Sequence, residues 1–233
     1  MATPSEVAAY RQSQASVVAL AHAELVDWWA ALGTGVLEVI EAALKTFLPD
    51  LVATYGDIAA TVAADWYADL REQADAPGLY RATLGDVIKA EQAQATAAWA
   101  CSADSDAEAL KRLSGSVQRF VQYGGRSTLR RNVLDDPSQP RYARVPREGG
   151  SSCAWCRVLA SRGAVYLSEE SAGGAGGEFH DHCGCQPTPV WPGQREPYDV
   201  GALYQQYQNA AAEAGSGDVR DITAVMREQL GIH

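Results

Sequence analysis

The sequence lacks a long uninterrupted apolar run and a secretion signal. Nowhere among its 233 residues do about 18 apolar residues follow one another, as a membrane-spanning helix would need. The N-terminal residues 1–10 are polar and acidic and have neither the basic flank nor the apolar stretch of a signal peptide. We therefore expect a protein that stays in the cytoplasm where it is made and has no membrane partner.

Histidine is scarce, and two familiar catalytic motifs are missing. The chain contains no G-x-S-x-G nucleophile motif and no H-E-x-x-H motif of zinc proteases. Nucleophilic catalysis needs a serine or cysteine with a base within reach, and the sequence offers no such constellation. We therefore expect neither an enzyme nor a small-molecule substrate. The four histidines are His22, His180, His182 and His233.

Basic residues are few and unevenly distributed. The formal net charge is −10, which argues against a general nucleic-acid binder. Residues 1–110 carry 5 lysines and arginines against 16 acidic residues, whereas residues 111–147 carry 9 against 2. This basic belt suits contact with DNA phosphates or an acidic protein surface, and intramolecular salt bridges with the acidic helices are an equally weighted interpretation. The candidate contact residues are Arg126, Arg130, Arg131, Arg141, Arg144 and Arg147.

Apolar residues recur at three- and four-residue steps through most of residues 1–134, as they do on one face of an α-helix. We expect a series of five helices there. The first ends at Gly33, the second ends before Pro49, the third ends near Asp75, the fourth spans residues 86–101, and the fifth begins at Ser105 or Asp106.

The character of the sequence changes at Gly124. Residues 124–132 predict a loop that leads into a short basic helix. Residues 142–146 alternate like a short strand, and the prolines within residues 185–191 are typical of an edge strand. Helices are expected near residues 200–214 and 218–230.

These patterns predict a mainly α protein in three parts. A helical N-terminal region for assembly or docking spans residues 1–134. A small α+β zinc-binding module follows at residues 141–192, and a helical C-terminal tail occupies residues 193–233.

The zinc prediction depends on the cysteines, four of which lie within 33 residues while Cys101 stands alone. In a reducing cytoplasm such a cluster favours metal binding over disulfides. Zinc prefers four thiolate or imidazole ligands, and a C-x-x-C pair followed by H-x-H-C-x-C offers six candidates. A structural zinc is favoured; a catalytic metal, two disulfides or free thiols are the alternatives. The first choice of ligands is Cys153, Cys156, His180 and Cys183, with Cys185 and then His182 as alternatives, because both histidines have the H-x-x-C spacing.

The cysteine region also resembles a known phage family. Cys-x-Trp-Cys-x-x-Leu-Ala-Ser-Arg-Gly-x-Val-Tyr, followed by Phe-His-x-His-Cys-x-Cys-x-Pro-x-Pro-Val-Trp, is similar to the C-terminal part of MuF-like phage minor head proteins. The form found in tailed phages of actinobacteria is the most similar. The resemblance is specific over about residues 141–191 and looser over the helical N-terminal part. The family pattern maps onto Cys153, Cys156, His180, Cys183 and Cys185, and His182 belongs to the actinobacterial version.

The resemblance implies a minor capsid or head morphogenesis protein. Such a protein is made in the host cytoplasm and ends inside the phage head in few copies. Its partners are the portal, capsid or scaffold proteins and, through the basic belt, packaged DNA. The alternative is a capsid maturation protease that acts on scaffold or capsid proteins, as the family is often labelled, and a lesser alternative is a His-Asn-His-type nuclease.

Overall fold

Helices dominate the chain and accompany one small antiparallel sheet. The computed structural model describes residues 1–32, 37–147, 152–167 and 183–232. The expected mainly α class is confirmed for these residues. Their elements are α1 (Pro4–Leu32), α2 (Leu37–Gln73), α3 (Ala90–Cys101), α4 (Asp106–Asp135), β1 (Arg141–Val145), α5 (Ala154–Ala160), β2 (Gln186–Val190), α6 (Val200–Ala214) and α7 (Val219–Leu230).

Helix α2 continues through Pro49, where we expected one helix to end and another to begin. Proline has no N–H to donate to the preceding turn, which costs a helix about 3 kcal/mol. Leu48 and Leu51, on either side of the proline, are both buried in the same apolar core. The predicted break is wrong because burial of these neighbours outweighs the local loss. Gly33, the predicted end of the first helix, lies outside the described residues.

Helix α4 runs without interruption through Gly124 and Gly125, where we expected a loop and then a separate helix. A Cβ atom at Gly124 would lie 2.1 Å from the carbonyl oxygen of Gly56 in α2. A Cβ atom at Gly125 would lie 2.9 Å from the side-chain amide of Gln14 in α1. The prediction is wrong because these glycines allow helices to approach closely, which is a packing role and not a turn.

The segment before α3 is not helical, although we expected a helix from Asp86. The N–H of Gly85 donates to Thr128 Oγ1 at 2.8 Å. The hydroxyl of Ser127 donates to the Asp86 carbonyl oxygen. Side chains of α4 therefore form hydrogen bonds with backbone groups of this segment that would otherwise be available for helical hydrogen bonds.

The chain divides into two compact units. The first unit comprises residues 1–9, 67–81 and 132–233, and the second comprises residues 10–66 and 82–131. The second unit has one apolar core to which α1, α2, α3 and α4 all contribute. Helices α1, α2 and α4 each contribute residues to both units. The three predicted ranges stay a prediction.

The sheet lies in the first unit. β1 pairs antiparallel with β2, and Arg144 lies opposite Pro187. Tyr142 of β1 also forms a bridge with Tyr166, with N–H···O distances of 3.0 and 3.3 Å. Both predicted strands are confirmed. β2 accommodates Pro187 and Pro189 as a strand paired with β1.

The two C-terminal helices begin at the aspartates expected of helix caps. Asp199 Oδ1 accepts the N–H of Ala202 at 2.9 Å, and Asp218 Oδ1 accepts the N–H of Arg220 at 2.8 Å. These helices share a core with α5. The buried members of that core are Ala154, Val158, Ala210, Ile222 and Met226. The predicted helical tail is therefore packed against the cysteine-bearing helix.

Helix α1 has the length and apolar composition of a membrane span. This is weak evidence by itself, because core helices of soluble proteins and signal sequences have the same properties. The helix also carries exposed acidic residues at Glu24 and Asp27, which are costly in a bilayer. The absence of a membrane partner stays a prediction.

Candidate metal centre

Helix α5 carries the first two cysteines. Cys153 is the N-cap residue, with extended backbone angles (φ −63°, ψ 160°), and its Sγ accepts the N–H of Cys156 at 3.4 Å. Cys156 lies in the first turn and is buried. The cap places the Cys153 sulfur over the start of the helix, where the N–H groups stabilise negative charge. The C-x-x-C spacing therefore brings both side chains to one end of α5.

Ser152 fixes the chain just before this helix. Its hydroxyl oxygen accepts the N–H of Arg147 at 2.7 Å and lies 3.2 Å from the Arg147 carbonyl oxygen. Arg147 follows β1 closely, so this pair of contacts ties the entrance of α5 to the end of the strand. No pattern in the sequence indicated this role for Ser152.

The other two cysteines precede β2. Cys183 and Cys185 are buried, and the Sγ atoms of Cys156 and Cys183 are 3.6 Å apart. The Sγ atoms of Cys156, Cys183 and Cys185 all lie within 4.8 Å of one another. Zinc–sulfur bonds of about 2.3 Å in a tetrahedron separate the sulfurs by about 3.8 Å. These three buried thiols are therefore close enough to hold a metal ion, and Cys153 packs against them.

All five cysteines are free thiols. The distance of 3.6 Å between Cys156 and Cys183 is far longer than a disulfide bond of about 2.05 Å. The alternative of two disulfides is therefore wrong for this structure. Cys101 belongs to the apolar core of the second unit and is buried there, as expected for a small hydrophobic side chain.

The environment of the cluster disfavours thiolates without a cation. Hydrogen bonds with Cys153, Cys183 and Cys185, together with burial, raise the pKa of Cys156 above that of an ordinary thiol. The hydrogen bond with Cys156 lowers the pKa of Cys185, but the bond with Cys183 and burial outweigh it and raise the value to about 12. A metal ion reverses this balance, because coordinated thiols lose their protons.

His180 and His182, two of the six predicted candidates, lie outside the described residues. The structure brings Cys185 together with Cys156 and Cys183, although the sequence ranked Cys185 behind His180. The spacing of the motif did not favour Cys185 as a ligand. The position of this side chain depends on where β2 begins, which the spacing does not show. Three cysteines thus lie close enough to share a metal ion, and Cys153 packs against them.

Three of the six candidate arginines are buried. Arg126, Arg130 and Arg144 are 3%, 9% and 0% exposed. Little of these three side chains is open to a partner in this structure, and their contact with DNA or a protein stays a prediction. A count of charges along the sequence could not distinguish them from surface residues.

The other three candidates are exposed. Arg131 Nη2 lies 3.2 Å from a carboxylate oxygen of Asp86, an intramolecular salt bridge of the kind that the second interpretation of the belt predicts. Arg141 Nη1 donates to the Val165 carbonyl oxygen at 3.3 Å. Contact of Arg131, Arg141 and Arg147 with DNA or a partner stays a prediction.

Comparison with known proteins places the chain among phage proteins. The VG15 protein family matches residues 1–210. The Gene 15 protein of Mycobacterium phage D29 is 40% identical over 75 residues, which cover 30% of this chain and 26% of that protein. The aligned part thus spans about a quarter of the relative's length. No solved structure matches the chain with significance.

Neither match bears the name of the MuF-like minor head proteins, so that resemblance supports a proposal and not an assignment. The family match is much broader than the resemblance. It includes helices α1 to α5, most of α6, both strands and all four clustered cysteines. The chain belongs to the VG15 protein family of phage proteins.

Proposed function

We propose that this protein is a minor component of the phage head, associated with the portal, whose C-terminal cysteines hold a structural zinc ion. The cluster of three buried thiols within 4.8 Å of one another is the observation that carries the zinc. Membership of a phage protein family and the MuF-like pattern over residues 141–191 support the role in the head.

The proposed ligands are Cys153, Cys156, Cys183 and Cys185. Cys153 joins the set because it packs on the other three and its sulfur lies at the same end of α5. Four thiolates complete a tetrahedron and leave no position for water or substrate, which is the arrangement of structural zinc sites. The metal would therefore stabilise the fold without taking part in a reaction.

The elements around the cluster are too small to be stable alone. They are a two-stranded sheet and the seven-residue helix α5. Isolated short elements of this kind are marginal in water, and small modules commonly depend on a metal. Because the ligands come from α5 and from the chain before β2, a bound ion would hold the helix and the sheet together.

A role in assembly fits the distribution of charge. The acidic residues 1–110 and the exposed arginines at positions 131, 141 and 147 offer surfaces of opposite sign, and complementary charge guides protein association. The proposed partners are the portal and the capsid or scaffold proteins, with packaged DNA as a further contact. We infer that the protein is made in the host cytoplasm and incorporated into the virion.

The proposed role is not enzymatic. Within the described part of the chain, the histidine is His22, and its Nε2 lies 2.7 Å from the carbonyl oxygen of Ser114. This contact joins α1 to α4 and is a structural one. It supports a role for His22 in packing the second unit and not in acid–base chemistry.

Zinc content tests the metal proposal. Elemental analysis of the purified full-length protein should find one zinc per chain. Cys156→Ser and Cys185→Ser should both lose zinc or bind it much more weakly. Cys101→Ser, which changes a buried cysteine in the other unit, should retain it. Full zinc retention by Cys185→Ser would exclude this residue from the ligand set and assign the fourth position to a histidine.

Phage particles test the role in the head. An amber codon in the gene should yield particles with defective or unfilled heads in a non-suppressing host, and plasmid-borne wild-type protein should restore them. Mass spectrometry of purified virions should detect the protein in few copies. Normal yields of filled heads without the protein, together with its absence from virions, would contradict the proposal. Complementation with a plasmid that encodes Cys156→Ser tests whether the zinc site, and not only the presence of the protein, is needed for normal heads.

A further inference from the structure

Arg144 is a wholly buried arginine beside the cysteine cluster. It is 0% exposed and lies on β1, opposite Pro187 of β2. Cys185 directly precedes β2, whose first residue, Gln186, pairs with Val145, the neighbour of Arg144. The cysteine and the arginine therefore lie at the same end of the sheet.

A buried guanidinium requires compensation for the water it has lost. Burial disfavours the Arg144 cation, and thiolate charge on the nearby Cys185, Cys156 and Cys183 would favour it and raise its pKa. The three buried cysteines would therefore supply the compensating negative charge once they are deprotonated.

Metal binding would make that negative charge permanent. Cysteines coordinate zinc as thiolates, and four thiolates around one Zn²⁺ leave a net charge of about −2 on the site. In a water-poor interior such a charge is strongly unfavourable unless a cation lies nearby.

We propose that Arg144 is the buried counter-charge of the zinc–thiolate site and increases its affinity for zinc. This inference rests on the proposed structural zinc. Arg144 is not a ligand; it acts through the charge of the cysteines. It also explains why an arginine of the basic belt lies inside the protein.

Competition with a chromophoric zinc chelator tests the proposal on the full-length protein. Arg144→Met, which keeps an unbranched apolar stem and removes the charge, should weaken zinc binding by about tenfold or more, as loss of groups around metal ligands commonly does. Arg144→Lys keeps the charge and should stay within about threefold of the wild type. Arg141→Met is the matched control, because it removes an exposed arginine from the same strand, and it should leave the affinity unchanged.

The outcomes distinguish an effect of the Arg144 charge on zinc affinity from an effect of its packing. Wild-type affinity in a folded Arg144→Met variant, as judged by circular dichroism, would overturn the proposal. Should the methionine variant fail to fold, Arg144→Lys decides: affinity near that of the wild type supports the counter-charge, and a loss as large as that of Cys156→Ser overturns it. Absence of zinc from the wild type would overturn the structural zinc itself, and stoichiometry measured on the same samples distinguishes that result.

Discussion

Asp136 is the most densely bonded carboxylate described in the first unit. Its oxygens accept hydrogen bonds from the Tyr67 hydroxyl at 2.9 Å and from Arg71 Nε at 2.8 Å. They also accept the backbone N–H and the hydroxyl of Ser138, at 2.8 and 2.6 Å. The Ser138 oxygen in turn accepts Trp191 Nε1–H at 2.9 Å. One side chain thus links the end of α2, the turn after α4 and the residue after β2.

Replacement of Asp136 by asparagine should destabilise the protein markedly. Asparagine retains the shape of the side chain but cannot form an ion pair with the Arg71 cation. Its amide group also places N–H donors next to other donors, where the carboxylate oxygen accepted hydrogen bonds. We expect a loss of about 2–4 kcal/mol in the free energy of unfolding. Chemical denaturation measures the change, with Asp135→Asn as the control because Asp135 is exposed. Equal denaturation midpoints for the two variants would contradict the assigned role.

The same carboxylate should make stability fall in acid. Burial alone would raise the pKa of Asp136, but hydrogen bonds from Ser138, Arg71 and Tyr67 outweigh it and lower the pKa. A depressed pKa in the folded state contributes stability that is complete above the unfolded value of about 3.9 and is lost as the pH falls through the folded value. The wild type should therefore lose more free energy of unfolding below about pH 4 than Asp136→Asn. Parallel curves of stability against pH for the two proteins would exclude this linkage.

At the scale of elements, the crossing of α2 and α4 depends on Gly124. Gly124→Ala gains helix propensity of at most about 1 kcal/mol, but its Cβ would lie 2.1 Å from the Gly56 carbonyl oxygen. The helices would have to separate, so we expect a net destabilisation of about 2 kcal/mol. Gly217→Ala is the control, since nothing lies within 4 Å of a Cβ there. Thermal melts compare the two variants, and an unchanged melting temperature for Gly124→Ala would exclude the close approach.

Elements with local signals were predictable from the sequence. Helices α6 and α7 begin after Asp199 and Asp218 and are followed by Gly215 and Gly231, both with positive φ. Each of these residues acts within its own helix end, so no knowledge of the fold is needed. The same holds for the alternation that predicts β1.

Elements that depend on distant contacts were not predictable. Pro49 would end an isolated helix, and Gly124 is equally typical of a turn. Only the packing of Leu48 and Leu51 and the approach of Gly56 show that both lie within continuous helices. The helix propensity of a single residue is overridden where burial of the neighbouring side chains contributes more free energy.

The candidate site also contains residues that local sequence patterns identified and one residue that they did not. Spacing identified the cysteines, because C-x-x-C and C-x-C are short-range patterns with a chemical requirement. Burial of Arg144 could not be read from spacing, since it depends on the pairing of β1 with β2. The sequence therefore placed this arginine with the surface belt.

At the scale of the whole molecule, the apolar clusters of the two units differ in size. The second unit has an extensive apolar core contributed by four helices. The first unit is assembled from three separate stretches of chain, and its described apolar cluster around α5 has five buried members. A cluster of that size gains more from a nearby metal than a large core does. Helix α5 connects the apolar cluster to the cysteine cluster. Its Cys156 packs with the other cysteines, while Ala154 and Val158 pack on the C-terminal helices.

Removal of the proposed zinc should therefore loosen α5, α6 and α7 and leave the second unit intact. Without the ion, α5 loses its anchor to the chain before β2, and the helices packed on it lose their shared core. Hydrogen exchange measured by mass spectrometry, with and without a strong chelator, should show faster exchange in residues 154–160, 200–214 and 219–230. Peptides from residues 10–66 and 82–131 should exchange at unchanged rates, and most of the helical circular dichroism should remain. Cys156→Ser should reproduce the chelated pattern, whereas unchanged exchange in α5 after demonstrated loss of zinc would show that the metal does not stabilise this unit.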